Sequence, residues 1–106
     1  MSEQLSLDQE PRLDVSPYWA QKAAEFHEKN PHVYGLLVMY ARQAVAAGAT
    51  RVGIELLWNR MRWDFLLRTE HDGDYKLNQN YKAWYARRIM ERESDLAEIF
   101  ETRRRR

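Results

Sequence analysis

The sequence predicts a mainly α fold: a compact bundle of four to five helices with a small β-hairpin, arranged like a winged helix-turn-helix. Three observations predict it. Apolar residues recur at three- and four-residue steps in several separate stretches. Ser16-Pro17 and Asn30-Pro31 each read as a helix start, with a capping side chain followed by proline at the first helical position. Asp72-Gly73 stands between short segments that can alternate, which is the signal of a tight primed turn. A chain of 106 residues fits one domain and can bury a core without disulfide or metal staples.

Residues 1–15 carry few bulky apolar side chains, no sustained period and Pro11 near their end, so they are expected to form a mobile acidic arm. Glu3, Asp8, Glu10 and Asp14 outweigh Arg12 there. The expected single helical domain covers residues 16–102, and residues 103–106 form a basic tail. In the first helix Trp19, Ala23 and Phe26, with Ala20 and Ala24 beside them, make an amphipathic face that ends near Lys29. A second helix starts at once after Asn30 and lines Val33, Tyr34, Leu37, Val38, Ala41, Ala44 and Val45 on a wide face. Gly48 is its expected left-handed terminator. Residues 49–52 leave room for a turn or one short strand.

The central helix, from about Gly53 to Leu67, is the stretch around which the bundle is expected to assemble. Ile54, Leu57, Trp58, Met61 and Phe65 form one apolar face, and Leu56, Trp63 and Leu67 form a second stripe displaced around the same helix. A helix apolar on two sides is expected to lie between other elements. The hairpin then runs through Leu67–His71, Asp72-Gly73 and Asp74–Leu77. Asn78 or Asn80 can cap a fourth helix bearing Tyr81, Trp84, Tyr85 and Ile89 inward and Lys82, Arg87, Arg88 and Arg92 outward. Ser94-Asp95 restarts a short last helix, from which Leu96, Ile99 and Phe100 dock on the core.

Composition narrows function mainly by exclusion. Cysteine is absent, which removes disulfide frameworks, thiolate metal sites and thiol nucleophiles. No apolar run approaches the length of a membrane span, and the first residues lack a signal-peptide pattern, so a cytoplasmic protein without membrane contact is expected. Glu70, His71, Asp72 and Asp74 are the one local histidine–carboxylate cluster, but they fall on the expected turn tip, where such residues serve turn geometry and solvation. Neither a glycine-rich phosphate loop nor a nucleophile elbow occurs. The expectation is a non-enzyme with no cofactor, no metal and no small-molecule substrate.

Charge is more informative. The net charge of +1 hides an acidic start and a basic last third, which suits an anionic partner for the basic end or an acidic tail that shields it. Helices followed by a hairpin give the order of a winged helix-turn-helix, whose reading helix enters the major groove. The central helix follows a short connection, and Ala44, Gly48, Ile54 and Leu57 have helix-turn-helix-like spacing, yet its second apolar stripe argues against groove reading. The fourth helix is the better reader. Asn78, Gln79, Asn80 and Lys82 would meet base edges or phosphate, while Arg87, Arg88 and Arg92 would hold the backbone. Arg103 and Arg104, with Arg105 and Arg106, would add salt-sensitive attraction. The same residues have plainer uses: asparagine caps helices, aromatic residues fill cores and arginines keep a helix face wet. A rival reading takes Tyr18, Tyr40 and Trp63, among four tryptophans and six tyrosines, as an exposed patch for dimer formation or for gripping another protein.

Several short matches in order, FHEKNPHVY at 26–34, GIELLW at 53–58, Arg62-Trp63, KLNQNY at 76–81, Tyr85 to Arg87, Ile89-Met90 and Phe100 to Arg103, resemble a group of small proteins encoded by bacteriophages and prophages. The resemblance covers about residues 19–103 and brings no catalytic residue. It implies an infected or lysogenic bacterial host. The resulting expectation is a DNA-binding phage protein acting on duplex DNA through its fourth helix. The alternative is a phage-encoded inhibitor or adaptor acting on a host defence (anti-CRISPR or anti-restriction) or on a nucleic-acid-binding protein, and a homodimer stays open.

Overall fold

The computed structural model describes residues 15–68 and 78–100. They form α1 (Pro17–Lys29), α2 (Pro31–Ala46), α3 (Ile54–Arg68) and α4 (Lys82–Arg92), with 3-10 turns at Gln79–Tyr81 and Ser94–Leu96. The fold is mainly helical. Residues 1–14 of the expected acidic arm, the basic tail and residues 69–77 of the expected hairpin lie outside the described residues, while Leu67 and Arg68, expected to open the hairpin, belong to α3. Among those described there is one isolated parallel bridge, between Val52 and Phe100, and no longer strand.

Both proline-marked starts hold, but by different means. Ser16 Oγ accepts the Trp19 N–H at 3.3 Å, and Pro17 opens α1. Asn30 was expected to cap α2; its side chain makes no such bond and instead donates from Nδ2 to the Phe26 carbonyl at 3.1 Å. With only one residue between two helices, the amide turns back to the Phe26 carbonyl, which also accepts the Asn30 backbone N–H at 2.9 Å, and Pro31 alone starts α2. At the other end of α2, Gly48 takes φ 105°, and the Ala49 N–H reaches the Ala44 carbonyl at 3.0 Å. Gly48 is thus the left-handed stop that its residue type suggested.

Residues 47–53 join α2 to α3, a longer link than the three- or four-residue turn of a helix-turn-helix. Within that link the Val52 N–H donates to the Ile99 carbonyl at 2.9 Å, tying the C-terminal segment to the start of α3. The last helix expected from Ser94 is only a 3-10 turn, yet Leu96, Ile99 and Phe100 are buried as their spacing required.

The core gathers Val33, Leu37, Tyr40 and Ala41 from α2, Ile54, Leu57, Trp58 and Met61 from α3, and Tyr85, Ala86 and Ile89 from α4. One face of α3 therefore behaves as expected. The second stripe does not. Of that stripe Leu56 is 65% exposed and Trp63 58%, while the Leu67 side chain lies outside the described residues; Leu66, next to it in sequence, is 52% exposed, so among the described residues α3 is buried on one side only. Ladders of equal apolarity compete for one set of partners, and the ladder that meets Leu37, Tyr85 and Phe100 wins.

Candidate nucleic-acid interface

The start of α4 is built from its own polar side chains. Asn78 Oδ1 accepts the Asn80 backbone N–H at 2.8 Å and Asn80 Nδ2 at 3.0 Å, fixing the 3-10 turn that leads into the helix. Lys82 Nζ donates to Glu55 Oε2 at 2.7 Å and to Gln79 Oε1 at 3.0 Å. The Lys82 ammonium holds the Glu55 carboxyl below its usual range, mainly through that hydrogen bond. Asn78, Gln79, Asn80 and Lys82, grouped in the sequence as ligand contacts, are thus grouped in space as a clasp between α4 and the first turn of α3. Lys82 was expected to offer a free cation; its charge is matched by Glu55.

The arginines differ. Among the described residues, no carboxylate lies within ion-pair distance of Arg87, Arg88 or Arg92. The Arg88 guanidinium carbon sits 5.3 Å from the centre of the Trp84 ring, a cation–π arrangement that pre-orients the charge without neutralising it. Arg87, Arg88, Trp84 and Glu91 line a groove of about 190 Å³ whose other wall is Val15 and Ala20 at the start of α1. Arg92 occupies the last turn of α4, where a cation also complements the helix dipole. Arg103 and Arg104 lie outside the described residues.

One residue behind this face had no assigned role. His27 packs against Tyr34, Trp84 and Tyr85 at centroid distances of 5.6, 5.6 and 5.9 Å, and its Nδ1 is buried without a hydrogen-bond partner. Burial pushes its pKa below the usual 6.5, and the positive charges of Arg88 and Arg92 push it the same way. The clue was available in the sequence: His27 follows Ala23 by four residues and so shares its inward face.

The proposed aromatic patch divides. Tyr18 and Trp63 are exposed, but Tyr40 is buried, donating its hydroxyl to Asp64 Oδ2 at 2.7 Å under the Arg60 guanidinium, 5.0 Å from the ring centre. Its spacing from Leu37 and Ala41 points it inward. The exposed apolar surface of α3 is instead Leu56, Trp63 and Leu66. The Glu70–Asp74 cluster lies outside the described residues, and among those described no three metal-ligating side chains converge. No described helix is long and apolar enough to cross a membrane.

Fold and site together define a small helical protein with an arginine–tryptophan face on its fourth helix. Set against protein-family models, curated proteins and solved structures, the chain shows no match.

Proposed function

We propose that this chain is a non-catalytic DNA-binding protein that grips the phosphate backbone of duplex DNA with α4. The observation that carries the reading is the pair Arg87 and Arg88, free of carboxylate partners among the described residues, with Arg88 laid over Trp84. Phosphate contacts need unneutralised guanidinium groups; Arg87 and Arg88 supply two, and Arg88 is also held over Trp84. Arg92 extends the face, and the tail from Arg103 adds sequence-independent attraction. Gln79 and Asn80 are exposed at the start of α4, but to meet a base edge Gln79 Oε1 would first have to leave Lys82 and Asn80 Nδ2 to leave Asn78, just as Lys82 would have to leave Glu55. The resemblance to phage and prophage proteins supplies the setting, a bacterial cytoplasm.

The test is a titration of a short duplex at two salt concentrations. The three α4 arginines contribute about −2.7 to the log–log salt slope, at roughly −0.9 per phosphate neutralised, and the arginine tail steepens it further. Replacing Arg87 and Arg88 together by alanine should flatten that slope and remove most of the affinity, while Lys82→Ala should change it little. No binding at low salt removes the proposal.

A second reading rests on the exposed side of α3. Leu56, Trp63 and Leu66 form an apolar stripe of the kind that docks another protein, as an inhibitor of a host defence or adaptor would. A defence-inhibition assay in cells separates the two readings. Serine at Leu56 and Trp63 abolishes protection under this reading, and alanine at Arg87 and Arg88 leaves it intact.

A further inference from the structure

The groove on α4 is closed on its other side by the residue at which the acidic arm begins. Val15 lines that groove together with Arg87 and Arg88, and the fourteen residues before it carry Glu3, Asp8, Glu10 and Asp14 against Arg12 alone. We propose that this arm folds back across the Arg87/Arg88 face and occupies it in the absence of nucleic acid, as a tethered competitor. The inference rests on the reading of α4 as the phosphate-binding face and adds its regulation.

Three observations support the placement. The attachment point is at the groove itself, so the arm needs no crossing of the molecule to reach it. Asp14 is next to Val15, and Glu10 and Asp8 follow within reach, because an extended chain spans about 3.3 Å per residue. Charge is complementary: the arm carries four carboxylates against one arginine, and it starts beside two guanidinium groups with no carboxylate partner among the described residues. Glu91 also lines the groove and opposes the contact, but it is one carboxylate against two arginines. Tethering does the rest, since attachment through a short link raises the effective concentration into the millimolar range. A weak contact between arm and groove then suffices to hold the arm there, and a polyanion that neutralises more arginines displaces it.

The absence of cysteine makes a direct test clean. A nitroxide attached at Ser6→Cys in the full-length chain reports which backbone amides it approaches. Nine residues of random coil would average about 17 Å, so proximity to α1 decides nothing and the comparison that decides is one of charge. At low salt the native arm should broaden the amides of residues 84–91, and the arm carrying D8N, E10Q and D14N should lose that broadening. Replacing Arg87 and Arg88 by glutamine should lose it as well. Adding duplex DNA should restore the signals.

Equal broadening with charged and neutral arms, or broadening centred on another face, overturns the inference whether or not DNA binds. Charge-dependent broadening in a chain that binds no DNA upholds the arm contact while the DNA reading falls. Broadening of a second, unlabelled isotopic copy would place the arm on a neighbouring molecule and would likewise overturn the intramolecular contact.

Discussion

His27 makes the residue scale measurable. Its imidazole is enclosed by three aromatic rings, and burial first, then Arg88 and Arg92, disfavour the charged form. The folded-state pKa is therefore below the unfolded value of 6.5. Between those two values the unfolded chain holds the extra proton, so stability rises with pH across that window and is lost as pH falls from 6.5 toward the folded value. Glu55 and Asp95 obey the opposite assignment of charge in a lower window. Hydrogen bonds from Lys82 and Arg42 lower their pKa values, so what they contribute is present above their ordinary 4.5 and 3.8 and is lost below. The expected outcome is a urea midpoint that falls between pH 7 and pH 5 in the native chain and stays nearly flat there in His27→Gln. Parallel loss in both would show that His27 is not the proton acceptor.

Among elements, the C-terminal segment asks which force holds it. Arg42 forks onto Asp95, with Nε and Nη2 at 2.9 Å from its two carboxylate oxygens, and Nη2 also meets Glu93 Oε1 at 2.9 Å. Tyr34 donates its hydroxyl to Glu93 at 2.9 Å, and burial together with that bond pushes its pKa up to about 12, so it remains a donor. This network is conspicuous but wet: the side chains of Arg42 and Asp95 are about half exposed, and solvent screening leaves such pairs little net contribution to stability. Phe100 is fully enclosed in the core, and truncating a buried phenylalanine costs about 3–5 kcal/mol. Chemical denaturation should therefore rank Phe100→Ala far below Arg42→Ala in stability; the reverse order would mean that the ion pairs, not the ring, anchor the segment. The comparison also shows what the sequence could and could not reveal. Leu96, Ile99 and Phe100 were legible as a docking set because their spacing is local. Lys82 with Glu55 was not, since 27 residues separate partners that no periodic pattern links. The same limit applies to α3. Ile54, Leu57, Trp58 and Met61 could be recognised as a face, but Leu56 and Trp63 share its spacing rules, and only neighbours distant in the chain decide which side is covered.

At the scale of the whole molecule, that uncovered side determines whether two copies associate. Leu56, Asn59, Trp63 and Leu66 follow steps of three, four and three, a pattern that is its own reverse. A second copy packed antiparallel would place Leu56 on Leu66 and Asn59 on Trp63 about a two-fold axis near Met61. The flanks oppose this. The same axis brings Arg62 of one copy toward Arg62 of the other and Arg60 toward Arg60, and only Arg60 has a compensating acid on its own helix, Asp64 at 3.5 Å. Area opposes it too, because one tryptophan and two leucines fall short of the roughly 800 Å² per partner that a stable interface buries. The chain is therefore expected to sediment as a monomer at micromolar concentration and low salt, leaving the stripe open to a partner with acidic flanks. A dimer at low salt that disappears in Trp63→Ser would contradict this, since it would show apolar contact outweighing the repulsion of four arginines.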